Sequence, residues 1–248
     1  MTNTKFILAA VLTASATVGQ SFAEESVKEE SAATPKWENS VDLGLSLAKG
    51  NTDNLLIKAG YNTIKKEEFD TYALDASYAF GEENGSRNQN EFLFNSSWQR
   101  LHSEKMYSKL SLIARHDEFA DIDYRVSLNA TLGYYVIKND TTELSFEAGL
   151  GVTTEDKGGV QDTYANGVVG EHFSHKFSDA TKLTQNFVIT PRLDDFDDYH
   201  WVFDLGIETA ITETMSLKFA FENKFENQPA AGSERNDLKL ITGLSYKF

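Results

Sequence analysis

The sequence predicts an all-β protein: a transmembrane antiparallel β-barrel of about twelve strands behind an N-terminal signal peptide. Three observations lead there. From Trp37 to the C-terminus, apolar residues recur with period two. The residues between them are small or charged, with both signs present. No apolar run reaches the roughly 18 residues that a membrane-crossing helix needs, yet the chain opens on an export signal.

Composition narrows the field further. The 248 residues carry 23 Lys+Arg against 38 Asp+Glu, a formal charge of -15. Phosphate backbones need a basic surface, so nucleic acid is an unexpected partner. Cysteine is absent, which removes disulfides, thiolate metal sites, a Cys nucleophile and a lipid-bearing N-terminal Cys. Proline is only 3 residues, which suits a chain that is mostly hydrogen-bonded sheet.

Residues 1–23 read as a cleavable signal peptide. Lys5 supplies the positive start, Phe6 to Val18 the apolar segment, and Ser21-Phe22-Ala23 the small residues before Glu24. Cleavage there leaves 22 basic residues against 38 acidic ones. Residues 24–36 are polar and aperiodic and read as a flexible acidic leader, so the barrel is expected over 37–248.

Alternation then runs through segments near 37–48, 54–64, 71–80, 90–100, 106–115, 124–137, 142–152, 163–173, 182–190, 199–210, 215–225 and 236–248. The clearest sets Tyr124, Val126, Leu128, Ala130, Leu132 and Tyr134 against Arg125, Ser127, Asn129, Thr131 and Gly133. Most segments are about 10 residues, the length of a tilted membrane strand. On one side the connections are expected to be short, as at 65–70, 101–105, 139–141 and 212–214. On the other they are expected to be longer, at 81–89, 116–123, 153–162, 191–198 and 226–235. Gly50-Asn51 reads as a tight hairpin turn.

A soluble β-sandwich alternates too, with its apolar face in a core. Two features favour lipid. Trp37, Tyr72, Phe80, Tyr124, Tyr134, Tyr199, Trp201, Tyr246 and Phe248 cluster at strand ends, where amphipathic rings prefer the membrane interface. The opposite face supplies candidate pore-lining charges: Lys58, Asp75, Glu91, Lys109, Arg125, Glu143, Glu147, Asp204, Glu208, Lys218, Glu222, Asp237 and Lys239. In hydrocarbon every backbone group must pair internally, so such a sheet has to close.

The terminal Tyr246-Lys247-Phe248 resembles the C-terminal signal that bacterial barrel-assembly machinery reads. Localisation to the outer membrane of a Gram-negative cell follows as an expectation. The opening Trp37, Gly44-Leu45-Ser46 and Gly50-Asn51-Thr52, together with that ending, resembles the DUF481 family, also called YdiY-like or salt-induced outer membrane proteins. The resemblance spans roughly 37–248 and implies an outer-membrane barrel; it supplies no catalytic residues.

No cofactor, metal site or catalytic constellation emerges. His172 and His175 fall on opposite faces of a strand, and Ser174 between them lacks the spacing of a nucleophile and its base. Gly149-Leu150-Gly151 lacks a dinucleotide loop's third glycine. The run from Asp194 to Asp198 fails the calcium-loop pattern, with Tyr199 and Leu205 where Gly and Glu belong. Asp117, Glu118, Asp121, Asp123, Asp194, Asp195, Asp197 and Asp198, with Glu155 and Asp156, are expected to form an acidic outer rim. Such a rim could meet lipopolysaccharide phosphates through Ca²⁺ or Mg²⁺.

The expected function is a narrow pore for cations or small solutes, porin-like and not an enzyme. The alternative is a non-conducting structural or stress-related envelope barrel with a side-chain-filled lumen. Small inner residues such as Gly44, Ser46, Ser77, Ser127, Gly133, Gly149, Gly206, Gly243 and Ser245 suggest open space.

Overall fold

The computed structural model describes residues 36–48 and 54–248. The expected signal peptide, the expected leader up to residue 35 and the expected turn at Gly50-Asn51 fall outside the described residues. Twelve strands follow one another: β1 (Trp37–Ala48), β2 (Asn54–Lys66), β3 (Asp70–Glu83), β4 (Ser86–Leu101), β5 (Met106–Asp117), β6 (Ile122–Lys138), β7 (Thr142–Lys157), β8 (Val160–Lys176), β9 (Thr181–Pro191), β10 (Tyr199–Ala210), β11 (Met215–Glu226) and β12 (Asn236–Lys247). Each pairs antiparallel with the next, and β1 pairs with β12 through Ser40–Lys247 to Leu43–Leu244. The sheet therefore closes, and no edge is left between these strands. An even number of antiparallel strands brings the start of β1 and the end of β12 to the same rim, here the terminal end; the opposite rim is the distal end.

The two faces are distributed inside out relative to a soluble fold. Leu132, Leu150 and Leu240 are 65%, 62% and 69% exposed, while Asp42 and Glu147 are 2% and 4% exposed. Most apolar residues thus look outward and most polar ones inward, with exceptions such as Tyr107, Tyr135 and Ile241, which lie buried on the inner face. That arrangement is stable only if something apolar covers the wall. Outward aromatic side chains near the terminal rim also keep a polar handle. Trp98 Nε1 donates to Asp70 at 2.7 Å, and Tyr61 Oη donates to Asn39 at 2.9 Å. One carboxylate, Glu171, sits on the outward face between Phe146 and Phe187, and Gln185 Nε2 donates to it at 2.7 Å.

Two expected distal loops are strands instead. Residues 81–89 continue the β3–β4 ladder to a two-residue turn at Asn84-Gly85, with φ of 51° and 77°. Residues 153–162 continue β7 and β8 to Gly158-Gly159, with φ of 62° and 73°. Left-handed pairs of this kind match the strand twist of a tight hairpin. The sequence turns polar before the strands end because the outer face there carries polar residues while the inner face packs polar groups such as Thr153 and Glu155. Composition marks where lipid stops, while backbone pairing carries on into water. Strands β6 and β8 reach 17 residues, well beyond the roughly 10 that a bilayer requires.

Candidate functional site

All thirteen candidate lumen residues lie on the inner face, and the closed wall sorts them into distinct clusters. The distal half of the lumen holds a network of ion pairs. Glu91 on β4 is its hub. It accepts from Arg115 Nε at 3.1 Å, from Lys239 Nζ at 2.9 Å and from Lys224. Arg115 also meets Asp117 at 2.7 Å and Glu226 at 3.2 Å. Arg125 joins Glu155 at 2.5 Å to Glu226 at 2.7 Å. Lys58 closes on Glu222 at 2.6 Å.

Arg115–Asp117 lies within one strand and Arg115–Glu91 and Arg125–Glu155 join neighbours, but the pairs of Glu226 with both arginines and of Glu91 with both lysines cross the barrel. Arg125 stands on β6 and Glu226 on β11, with β7 to β10 between them on the shorter way round the wall. Glu91 on β4 reaches β11 and β12 past β3, β2 and β1. Side chains therefore bridge the distal lumen from wall to wall. Under the distal loops a small pocket beside Arg115, Lys224, Glu226 and Asp237 measures about 20 Å³, room for about one water. Two unit charges about 4 Å apart attract by about 4 kcal/mol at an effective dielectric near 20, so each pair is a substantial local constraint.

Below this, on the β5–β8 side, the inner wall is packed by neutral groups and one further ion pair. Thr153 and Asn166 are fully buried and bond to each other at 2.9 Å; Asn166 also donates to Asn129 at 3.0 Å. Glu147 takes Lys109 at 2.6 Å and lies 3.2 Å from His172 Nε2. Here the expected open space is overturned. The Tyr107 ring lies on Gly133, where an added Cβ would fall 2.0 Å from Cζ. Gly149 faces the Ala130 carbonyl just as closely. A glycine in this wall is a socket for a neighbour's bulk, not a gap.

On the opposite, terminal side the lumen opens into a vestibule of about 610 Å³. Its inner walls include Ser40, Asn62, Ala73, Asp75, Lys182, Thr184, Gly206, Glu208, Lys218 and Ala220. Lys218 pairs with Asp42 at 3.0 Å, and Lys247 with Glu208 at 3.0 Å. Short side chains on β3, β9, β10 and β11 leave the room.

The expected acidic rim is partly relocated. Asp117 and Glu155 are not on the rim: they are 5% and 2% exposed, inside the lumen, against Arg115 and Arg125. Parity explains this, since β5 and β7 extend far enough to carry both onto the inner face. Glu118 is held by Arg87 at 2.8 Å, and Asp194 by Arg192 at 2.6 Å. Asp121 takes a left-handed backbone (φ 54°), Asp123 opens the outer face of β6, and Asp195 and Asp197 bond to Gln228 and Asn227. Hydrogen bonds from Arg192 hold the Asp194 carboxyl below the usual range, while partial burial pushes Asp198 up despite Lys157 3.6 Å away. Among the described residues no group of three His, Asp or Glu is placed to hold a metal ion. His172 faces inward to Asn186 and His175 outward to Thr142.

Sequence reasoning missed Asp42, Glu155 and Glu226 as lumen residues. Each shares the inward parity of residues it did select: Glu226 with Glu222, Glu155 with Glu147. Extending the alternation past the apolar stretch would have found Glu155 and Glu226, while Asp42 already stands between Val41 and Leu43 inside the first run.

The family model described as "Protein of unknown function, DUF481" matches residues 41–248. No curated protein matches the chain. Among solved structures, the COG4313 outer membrane channel from Pseudomonas putida F1 is similar over 91% of this chain and 100% of its own, with a TM-score of 0.54 and 8% identity. The translocator domain of the autotransporter NalP from Neisseria meningitidis is similar over 89% and 90%, with a TM-score of 0.51 and 15% identity. At such identities the likeness is one of fold, that of outer-membrane barrels.

Proposed function

This chain belongs to the DUF481 family, and on that footing we propose that it is an outer-membrane barrel held closed at rest by ion pairs, which passes cations or small solutes when those pairs part. One observation carries this reading: Glu91 and Glu226 each bind basic groups that reach them across the lumen. Charge pairs are a reversible closure. They weaken when a partner is neutralised or drawn away by a field or a competing ion, whereas an apolar plug does not. Asp75, Asp204 and Asp237 add inner-face carboxylates for which the described residues offer no ion pair, and this excess favours cations. The apolar outer wall supports residence in lipid, reached by export through residues 1–23 and assembly through Tyr246-Lys247-Phe248. Lipopolysaccharide would meet the distal rim, bridged by Ca²⁺ or Mg²⁺ where Asp123 stays exposed to it. No catalytic role is assigned.

A second reading, a permanently closed structural barrel, draws on the packing of Tyr107 over Gly133 and of Asn129 against Asn166. Planar-bilayer recordings of the refolded mature barrel separate the two. A gated barrel gives rare, cation-preferring events that become sustained in Glu226→Ala. Silence from both proteins at every ionic strength overturns the gate and leaves the structural reading.

A further inference from the structure

The vestibule holds more charge than its own pairs use. Lys218 is taken by Asp42, and Lys247 by Glu208. Two groups on its wall remain. Asp75 on β3 lies near Lys218, but that ammonium is already committed to Asp42 at 3.0 Å. Lys182 on β9 has Glu143 and Glu208 on one side of the balance and Lys66 and Lys176 on the other. Its Nζ is shielded from solvent and has no hydrogen-bond acceptor. Among the described residues neither Asp75 nor Lys182 has an ion-pair partner. An ammonium withdrawn from water without an acceptor is unfavourable, and its flexible stem lines a cavity into which it can turn.

The two groups also face each other. β3 and β9 are half the circumference apart in a wall of twelve strands, so Asp75 and Lys182 project into the cavity from opposite sides. A simple anion would satisfy Lys182 and leave Asp75 bare; a simple cation would do the reverse. An α-amino acid carries both charges, but on adjacent carbons. A short peptide holds them apart, and three residues span about 10 Å when extended. The cavity, at about 610 Å³, lies within the roughly 300–1,000 Å³ of small-molecule sites. Asn62, Ser40 and Thr184 add hydrogen-bonding groups for a peptide backbone along the way.

We propose that the vestibule is a binding site for a short zwitterionic peptide, which enters from the terminal end, sets its ammonium against Asp75 and lays its carboxylate on Lys182. The site needs an accessible vestibule but no conduction, so it stands apart from the gate.

Calorimetric titration of the refolded mature barrel tests it with three probes of one skeleton: trialanine, N-acetyl-trialanine and trialanine amide. Trialanine should bind, and each capped form should bind at least tenfold more weakly. Asp75→Asn should reduce trialanine to the level of the acetylated form and leave the acetylated form unchanged. Lys182→Gln should do the same relative to the amide. Absence of trialanine binding, equal binding of all three probes, or variants that weaken all three alike would each overturn the proposal. Because the measurement is made at equilibrium on a closed barrel, a protein silent in bilayers can still pass it.

Discussion

The two ends of the lumen are built from the same kinds of residue and end in opposite states. At the distal end, Glu91, Arg115, Arg125 and Glu226 join in a network across the lumen, beside a pocket with room for about one water. At the terminal end, Asp75, Lys182, Glu208 and Lys218 stand round a cavity of about 610 Å³. Charge content does not separate them. Reach does: distal arginines and lysines are long enough to join carboxylates on the far wall, whereas the terminal wall alternates its charges with Ser40, Ala73, Thr184, Gly206 and Ala220. The comparison teaches that a polar inner face describes neither a pore nor a plug until the partner across the lumen is known.

The strongest way to break the contrast is to cut the distal network. Glu226→Ala leaves Arg115 and Arg125 each without one partner, and Glu91→Ala strands Lys224 and Lys239. Removal of one member of a buried pair destabilises by about 3–5 kcal/mol, so urea unfolding of either variant in lipid vesicles should shift by that amount. Cutting a vestibule pair, as in Glu208→Ala, should shift stability far less, because Glu208 is 30% exposed and water replaces its partner.

The outer wall provides the next test. Leu132→Arg and Leu240→Arg place charge where the wall faces acyl chains and should cost about 2–4 kcal/mol at mid-depth. A soluble molecule with these leucines at its surface would tolerate both, so unchanged unfolding free energies would refute the membrane placement.

Smaller in effect, Gly133→Ala drives a methyl into the Tyr107 ring and should destabilise by about 1–3 kcal/mol. The double variant with Tyr107→Ala should recover part of that loss, and additive effects would show that the ring and the glycine are independent. At the rim the effects are smallest and depend on pH. Arg192 holds Asp194 below its usual 3.8, so their interaction is fully present above that value and fades as pH falls through the lowered one. Melting curves of wild type and Asp194→Asn should differ slightly at neutral pH and coincide in strong acid.

Much of the fold was legible along the chain. Twelve runs of alternation correspond to twelve strands, and even the faintest, near 54–64 and 163–173, lie within β2 and β8. The parity of Arg125 against Leu128 told inside from outside. The boundaries at 81–89 and 153–162 were not legible, because a hairpin whose two faces are both polar carries no apolar signal while its backbone still pairs.

By itself the sequence determined which side of the wall most residues take, since successive side chains on a strand must point to opposite faces; the register shifts at Gly81/Glu82, Arg115/Asp117, Ile122/Tyr124 and Tyr135/Ile137 came only with the pairing. It did not determine what each inward residue would touch. That Glu91 meets Lys224 and Lys239, and that Asp75 and Lys182 confront each other across a cavity, follow from ring closure and from the stagger of the strands. Both are set by the register of pairing around the whole barrel. Local alternation is a property of neighbours in the chain, whereas contact across the lumen belongs to residues more than a hundred positions apart.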